Sequence, residues 1–297
     1  MLNIEEVAEK TYRLPVAVPG TIFNYAVYFI DESEGAIIDP GPAATIPAIE
    51  ETMAQLGMKP PAYIIPTHIH MDHAGAAGRL AQLFPRARVV VHPDGARHII
   101  TPSRLIESVK MSFGDDFDSY YGPILPVPED QVVTPGDGEV ISVSGRQLQV
   151  IYSPGHAKHH IAIFDRKTSG LFCGEALGLP KSGAELSPLP AAAPPGFDMD
   201  AYLETMEKLR ALNPRVLFYS HDGIGLNPQE LISRAAENTG IFGDIILKGL
   251  KSGADMEAIK RQIQEYYSAK RGMDVAGADT EMTFRGFAFY FKKKGLV

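Results

Sequence analysis

The sequence predicts a mixed α/β protein that continues into a helical region. Residues 12–38 are rich in Val, Ile, Phe and Tyr, as strands are, and short strands and helices then alternate to about residue 92. Four more β-rich segments lie between residues 139 and 176. Beyond Pro228 the composition is helical, with no further β pattern. We therefore expect a β-rich domain over 1–225 and an accessory helical region over 226–297.

The first half opens as antiparallel β structure. Two strand-like runs flank Pro19-Gly20, and Ala36 to Ile38 forms the next strand. Apolar residues at helical spacing predict a helix from Ile46 to Leu56. After it we expect a strand at 62–67, a helix at about 75–84, a strand at 87–92 and a short helix from Pro93.

The segment from Thr101 to Asp137 differs in composition. It holds five prolines, three glycines and the acidic pair Asp115-Asp116, which predicts an irregular insertion rather than a sheet element. Long irregular segments inside compact domains are often lids or substrate-binding loops. Tyr120 and Tyr121 are therefore candidate substrate contacts, and the alternative is a solvated connection.

The second half consists of short strands and a helix, before the helical region begins. The strands are predicted at 139–143, 147–153, 160–165, 170–176 and 215–219, with a helix from Asp198 to about Leu212. The helical region is expected to contain helices at 228–251, 255–270 and about 280–294. Its apolar residues could pack on the core or form a homodimer contact: Ile241, Phe242, Ile245, Ile246 and Leu250.

Composition excludes several classes of protein. The chain of 297 residues has 22% charged residues and a formal charge of -8, which argues against binding nucleic acid through phosphate neutralisation. No apolar run is long enough to cross a bilayer, and residues 1–10 lack the pattern of a signal peptide, so we expect a cytoplasmic protein without membrane attachment. The single cysteine, Cys173, fits a reducing interior and a buried packing role.

The segment from Thr67 to Gly75, THIHMDHAG, is dense in metal-binding residue types. Its three histidines and one aspartate are His68, His70, Asp72 and His73. Imidazole and carboxylate are the ligands of borderline divalent metals. His68 and His70, two apart in an extended loop, can face one ion, while Asp72 and His73 turn towards a second point nearby. The alternative is a surface cluster of histidines without a metal.

Other predicted strands end in residues of the same kinds. These residues are Asp39, His156, Glu175 and His221. Loops that leave buried strands are where α/β folds place their chemistry. Asp39 could instead be only a turn residue or helix cap, but its position also suits a carboxylate that supports a metal ligand.

With THIHMDHAG, SPGHA, GEA and SHDG in this order, the chain resembles the metallo-β-lactamase-fold hydrolases over about residues 12–225. That superfamily includes glyoxalase II, lactonases, ribonuclease Z and flavodiiron proteins. The resemblance implies a four-layer αβ/βα sandwich with metals at one edge of two packed sheets, here followed by the helical extension.

The resemblance also implies two divalent ions, with zinc expected and iron or manganese as alternatives. It assigns one ion to His68, His70 and His156, and the other to Asp72, His73 and His221. Asp39 matches the supporting aspartate of the family, and His160 matches a histidine close to the metals that does not bind them. His159 is expected to point the other way, and His92 and His98 to be ordinary fold residues.

One position departs from the family pattern. The ligand that bridges both metals is usually the aspartate of a GD pair, whereas this chain has Gly174-Glu175. Glutamate is one methylene longer, so it could bridge the metals or bind only one. A subset of the superfamily combines such a GE pair with a GHxxHH-type segment like Gly155 to His160.

The resemblance implies a hydrolase for a small ester, thioester or lactone, in which the metals lower the pKa of a bound water and polarise the scissile carbonyl. Asp72 would steer the nucleophile or accept its proton. In glyoxalase II a C-terminal helical region helps to hold the substrate, so Arg285 and Lys292 to Lys294 are candidate anchors for an anionic group, unless they form a solvated end. The alternatives are an oxygen-using enzyme with one iron, of the sulfur dioxygenase kind, and a metal-containing binding protein without catalysis.

Overall fold

The computed structural model describes residues 2–17, 24–113, 117–181, 186–221, 223–272, 274–275 and 278–297. The Pro19-Gly20 turn, the Asp115-Asp116 pair and Asp222 of the SHDG motif lie outside these residues. The chain forms two compact units: unit 1 comprises 1–152, 159–174 and 217–224, and unit 2 comprises 153–158, 175–216 and 225–297. No helix in the described ranges is both long and apolar enough to span a membrane.

Unit 1 contains a seven-stranded sheet in the chain order of its strands. The strands are β1 (Glu5–Ala8), β2 (Thr11–Ala17), β3 (Asn24–Ile30), β4 (Ala36–Ile38), β5 (Tyr63–Ile65), β6 (Arg88–Val90) and β7 (Val132–Val133). Strands β1 to β4 pair antiparallel, as predicted for this opening, and β4 to β7 pair parallel. Apart from its first residue, β3 is buried along its whole length, which explains its almost continuous apolar sequence.

The helices of unit 1 connect the strands of this sheet. They are α1 (Ile46–Leu56), α2 (Met71–Ala74), α3 (Ala77–Leu83), α4 (Pro93–Ile100), α5 (Ser103–Phe113) and α6 (Phe117–Tyr121). Helix α1 ends where Gly57 adopts a left-handed conformation with φ 64°, which explains the predicted boundary.

The prediction of an irregular segment from Thr101 to Asp137 is wrong for much of its length. Helices α5 and α6 begin it, and β7 near its end pairs with β6. Partly buried residues of α5, including Leu105 and Val109, pack against a cluster of Met71, Phe117 and Tyr121. Most prolines of the segment follow Tyr121, so its overall composition concealed the helical spacing before that residue.

A second sheet in unit 1 is built from the later strands. They are β8 (Val140–Val143), β9 (Arg146–Tyr152), β10 (Ile161–Asp165), β11 (Gly170–Gly174), β14 (Val216–Tyr219) and β15 (Ile224–Gly225), in the order β15-β14-β11-β10-β9-β8. The aromatic ring of Tyr28 in β3 lies 5.3 Å from that of Phe172 in β11 and 5.4 Å from that of Phe218 in β14. The two sheets therefore face each other across an aromatic core.

Unit 2 is mainly helical. It contains the hairpin strands β12 (Leu179–Lys181) and β13 (Ser187–Leu189) and the helices α7 (Met199–Ala211), α8 (Pro228–Lys251), α9 (Met256–Arg271) and α10 (Ala278–Lys293). The side chain of Asp198 accepts a hydrogen bond from the Ala201 amide and caps α7, as predicted. The expected helical tail is confirmed. Phe242 and Ile246 are buried inside unit 2, so these two residues pack on its core.

Candidate metal centre

The backbone of the THIHMDHAG segment changes conformation in its middle. His70 is extended, with φ -60° and ψ 147°, and α2 begins at the next residue. His68 and His70 therefore belong to an extended loop after β5, whereas Asp72 and His73 lie in a helical turn. This change explains why two pairs of ligand types, only a few residues apart, form separate groups.

The first group in unit 1 consists of His68 and His70. Nε2 of His68 lies 2.9 Å from Nδ1 of His70. His68 is almost completely buried, with 1% of its surface exposed. Two imidazole nitrogens at this distance can bind one cation between them.

The second group in unit 1 consists of Asp72, His73 and His221. Nε2 of His73 lies 3.3 Å from Nε2 of His221, and Oδ2 of Asp72 lies 3.4 and 3.6 Å from these two nitrogens. Ligand atoms held at about 2.0–2.1 Å from a tetrahedral zinc ion stand about 3.3–3.4 Å from one another. The spacing and chemistry of the three side chains therefore fit a divalent metal such as zinc.

The two groups are neighbours within unit 1. The ring centroids of His68 and His73 lie 4.1 Å apart. His73 is buried, which opposes its protonation, but the carboxylates of Asp72 and Asp39 outweigh this effect and raise the pKa of His73 well above its ordinary value. The site thus strongly favours positive charge at this position.

Asp39 lies directly behind these ligands. It follows β4, adopts φ 45° and is 4% exposed. Its Oδ1 accepts a hydrogen bond of 2.6 Å from the Thr67 amide, and its Oδ2 lies 3.5 Å from Nδ1 of His73. The carboxylate is therefore placed to orient the ring of His73, in keeping with the supporting role predicted for it.

Unit 2 contains a further pair of ligand types, His156 and Glu175. Nε2 of His156 lies 3.0 Å from Oε2 of Glu175. Nδ1 of His156 lies 2.7 Å from the carbonyl oxygen of Ala191 and can only donate to it, so Nε2 keeps its lone pair for a cation. The Glu175 carbonyl accepts a hydrogen bond of 2.7 Å from the Tyr202 hydroxyl, which holds this part of the backbone.

Gly155 of the SPGHA motif has a steric role in unit 2. Its φ is 132°, and a Cβ atom at this position would lie 2.3 Å from Cα of Tyr202. A residue with a side chain does not fit there, which explains the glycine before His156.

The structure changes the expectation for His159. Its ring stacks on that of His68 at a centroid distance of 6.2 Å and lies 5.7 Å from that of His70, so the prediction that it points away is wrong. Strand β10 begins only at Ile161, and the turn before it does not place neighbouring residues on opposite faces. His160 is fully buried, and its ring stacks at 4.9 Å on that of His68, a proposed metal ligand.

The predicted substrate contacts lie in different surroundings. Tyr121 is 8% exposed and packs with Met71 and Phe117. Its burial, together with the nearby charge of Asp72, raises the pKa of Tyr121 far above its ordinary value, so the hydroxyl stays protonated and can donate a hydrogen bond. Tyr120 is only half-buried.

Two of the basic residues predicted as substrate anchors, Arg285 and Lys294, have acidic partners on the surface of unit 2. The guanidinium of Arg285 pairs with Glu281 at 2.5 Å, one helical turn away. Nζ of Lys294 lies 2.8 Å from the carboxylate of Asp200. These contacts are typical of a solvated helix end, which was the alternative interpretation.

Comparisons with known proteins show the family of the chain. Residues 20–221 match the family model described as "Metallo-beta-lactamase superfamily". The chain belongs to this superfamily.

Curated relatives match about half of the chain. A metallo-beta-lactamase fold-containing protein of Sulfurisphaera tokodaii is 28% identical over 165 residues, which cover 54% of this chain and 60% of the relative. A hydroxyacylglutathione hydrolase of Synechococcus sp. is 30% identical over 155 residues, which cover 52% of this chain and 48% of the relative. The chain thus spans between about half and three fifths of the length of these relatives.

A solved structure extends the likeness to the whole chain. A metallo-beta-lactamase family protein from Thermus thermophilus superposes with a TM-score of 0.73 at 21% identity, covering 98% of this chain and 95% of that chain. At this identity the likeness shows the fold alone. The predicted fold class, a metallo-β-lactamase sandwich with a C-terminal helical extension, is confirmed.

Proposed function

We propose that this protein is a metal-dependent hydrolase that attacks a small ester, thioester or lactone with water. The observation that carries this proposal is the convergence of Asp72, His73 and His221, whose ligand atoms are 3.3 to 3.6 Å apart. Two buried imidazoles and a carboxylate at this spacing suit a divalent cation, and superfamily membership supports hydrolysis.

The proposal includes two ions, with zinc as the expected metal. Asp72, His73 and His221 would hold one ion, and His68 and His70 would help to hold the other. Within unit 2, Glu175 lies 3.0 Å from His156, and this pair of ligand types also suits a cation. A metal inventory that found a single iron, together with thiol-dependent oxygen uptake, would favour the oxygen-using alternative.

The side chains have separate roles in this proposal. When bound, the ions would supply a nucleophilic water near neutral pH and polarise the scissile carbonyl. Asp72 is the most exposed side chain of its group, with 24% of its surface accessible compared with 1% for His73 and 4% for His221, so it would orient the attacking water and accept its proton. Asp39 would keep the ring of His73 in place.

The substrate is proposed to be a small molecule, and an acyl thioester is the first class to test. One relative is named a hydroxyacylglutathione hydrolase, and this name supports the order of testing. The hydroxyl of Tyr121 is a proposed hydrogen-bond donor to the substrate. It keeps its proton because burial and the nearby charge of Asp72 raise its pKa.

The experiment compares zinc-loaded protein with two variants on a panel of thioesters, esters and lactones. His68→Ala/His70→Ala should lose turnover and one equivalent of zinc, and Asp72→Asn should lower turnover by at least about 100-fold. His98→Ala serves as the matched histidine control and should keep both the turnover and the bound zinc of the wild type. Unchanged turnover in the double variant would overturn the proposal, and absence of turnover by fully loaded protein would favour a binding protein.

A further inference from the structure

The carboxylate of Asp39 is the meeting point of two loops that carry metal ligands. Its Oδ2 accepts hydrogen bonds from the hydroxyls of Thr67, at 3.1 Å, and of Ser220. Thr67 directly precedes His68, and Ser220 directly precedes His221. Each hydroxyl therefore ties the backbone next to one proposed ligand to the same buried oxygen.

The proton positions in this network follow from the chemistry of the groups. A carboxylate can only accept, so the Thr67 hydroxyl must donate its single proton to Asp39. Oγ1 of Thr67 also lies 3.2 Å from Nδ1 of His68, and it can only accept in that contact. The proton of His68 is thereby placed on Nδ1, and Nε2 keeps its lone pair for a cation.

The same carboxylate reaches the other group of ligands. Nδ1 of His73 lies 3.5 Å from Oδ2 of Asp39, on the far side of the ring from the Nε2 that faces His221. One carboxylate thus orients His73 directly and His68 through Thr67. These two histidines belong to different proposed metal sites.

Close packing leaves Thr67 little freedom to rearrange. Thr67 and Ser220 are buried, with 0% and 3% of their surfaces exposed. The backbone of Gly174 comes so close that a Cβ there would lie 2.6 Å from Oγ1 of Thr67. A lost hydroxyl could not be replaced without moving these neighbours.

We infer that Thr67 and Ser220 are positioning residues that act through Asp39, so that the affinity of each proposed metal site depends on a hydroxyl next to a ligand of the other. The inference rests on the proposed ligand assignment and not on the proposed hydrolysis. Loss of the Thr67 hydroxyl should therefore weaken the site of Asp72, His73 and His221, because Asp39 contacts both Thr67 and His73.

The test measures zinc affinity by competition with a chromophoric chelator, using full-length protein in which one site has been disabled. His70→Ala leaves the site of Asp72, His73 and His221. Adding Thr67→Val to this background should lower the zinc affinity of the remaining site about 10- to 100-fold, as the loss of a group that supports a metal ligand does in other metalloproteins. Adding Thr67→Ser, which keeps the hydroxyl, should restore affinity to within about threefold of the background.

A reciprocal variant covers the case in which Thr67→Val does not fold. In a His221→Ala background, Ser220→Ala should lower the zinc affinity of the site that contains His68 by a similar factor. Circular dichroism and urea unfolding establish that each variant is folded. Unchanged affinity in folded Thr67→Val and Ser220→Ala variants would overturn the inference while leaving the ligand assignment intact. Wild-type protein that binds no zinc would overturn both.

Discussion

Gly174 shows how closely the residues around the site are packed. It adopts φ 53°, and a Cβ there would lie 2.5 Å from Nε2 of His160 and 2.6 Å from Oγ1 of Thr67. We expect Gly174→Ala to lower the free energy of unfolding by about 1–3 kcal/mol and to weaken zinc binding. The reason is that His160, which stacks on His68, must move. Urea unfolding and chelator competition measure the two effects.

Gly145→Ala is the matched control for this substitution. Gly145 also has a left-handed backbone, with φ 86°, but nothing lies within 4 Å of its added Cβ. Gly145→Ala should lower the free energy of unfolding by only about 1 kcal/mol, because alanine disfavours the left-handed backbone, and should leave zinc affinity unchanged. Equal losses of stability in the two variants, with equal zinc affinity, would contradict the steric argument.

At the residue scale, the sequence could reveal ligands more readily than the groups that position them. Histidines and a carboxylate at the spacing of His68 to His73 have few other uses, so residue type alone makes them candidate ligands. The Thr67 and Ser220 hydroxyls are different, because serine and threonine occur throughout the chain. Their role depends on which buried oxygen they meet, and only the folded structure shows that this oxygen belongs to Asp39.

At the scale of elements, Glu32 in the turn between β3 and β4 forms ion pairs with two other turns of unit 1. The carboxylate of Glu32 lies 3.0 Å from Nζ of Lys10, between β1 and β2, and 3.1 Å from Nζ of Lys167, between β10 and β11. Burial alone would raise the pKa of Glu32, but the hydrogen bonds from both lysines outweigh it and lower this pKa below its ordinary value of 4.5.

The lowered pKa predicts how the stability of Glu32→Gln depends on pH. Because the folded state favours the charged carboxylate, Glu32 adds stability above pH 4.5, its ordinary pKa, and loses it as the pH falls through the lower folded value. Glu32→Gln should therefore be less stable than the wild type at pH 7, and the difference should shrink below pH 4.5. Urea unfolding at several pH values measures this change.

Glu34→Gln removes an exposed carboxylate from the same turn and serves as the control. Its stability difference from the wild type should be small at every pH. A Glu32→Gln difference that stayed constant down to pH 3 would show that shape, rather than charge, explains the effect.

The elements that the sequence predicted well are those whose own pattern determines them. Helix α7 has the capping residue Asp198, and β9 to β11 alternate or run apolar between clear turns. Strand β1 was missed because EEVA has no such pattern. Its pairing with β2 is a tertiary contact, supported by an ion pair of 3.0 Å between Glu5 and Arg13.

At the scale of the whole molecule, the metal centre depends on which loops meet. Asp72 and His73 follow β5, whereas His221 follows β14 in the other sheet of unit 1. The spacing of residues in the chain cannot show that these two strand ends come together. That prediction came only from the resemblance to a known family. The two packed sheets of unit 1 provide the physical reason for this meeting, through contacts such as that of Tyr28 with Phe218.

Ligands this far apart in the chain predict that zinc stabilises the folded protein. His73 and His221 are 148 residues apart, so the unfolded chain does not hold their nitrogens at the distance of 3.3 Å found here. An ion that binds only the folded state, at about 100 times its Kd, adds about 2.7 kcal/mol of stability. For a chain of this size we expect zinc to raise Tm by about 5 °C over metal-free protein in a thermal scan.

Two comparisons make this thermal test specific. Magnesium prefers oxygen ligands and ordinarily keeps several waters, so the same concentration should leave Tm nearly unchanged. His221→Ala removes one of the three ligands in the group of Asp72, His73 and His221 and should lose most of the zinc-dependent rise that this site provides, whereas Gly145→Ala should keep it. If zinc raised the Tm of His221→Ala as much as that of the wild type, zinc would act elsewhere on the protein. The stabilisation would then not depend on an ion that joins the strand ends of His73 and His221.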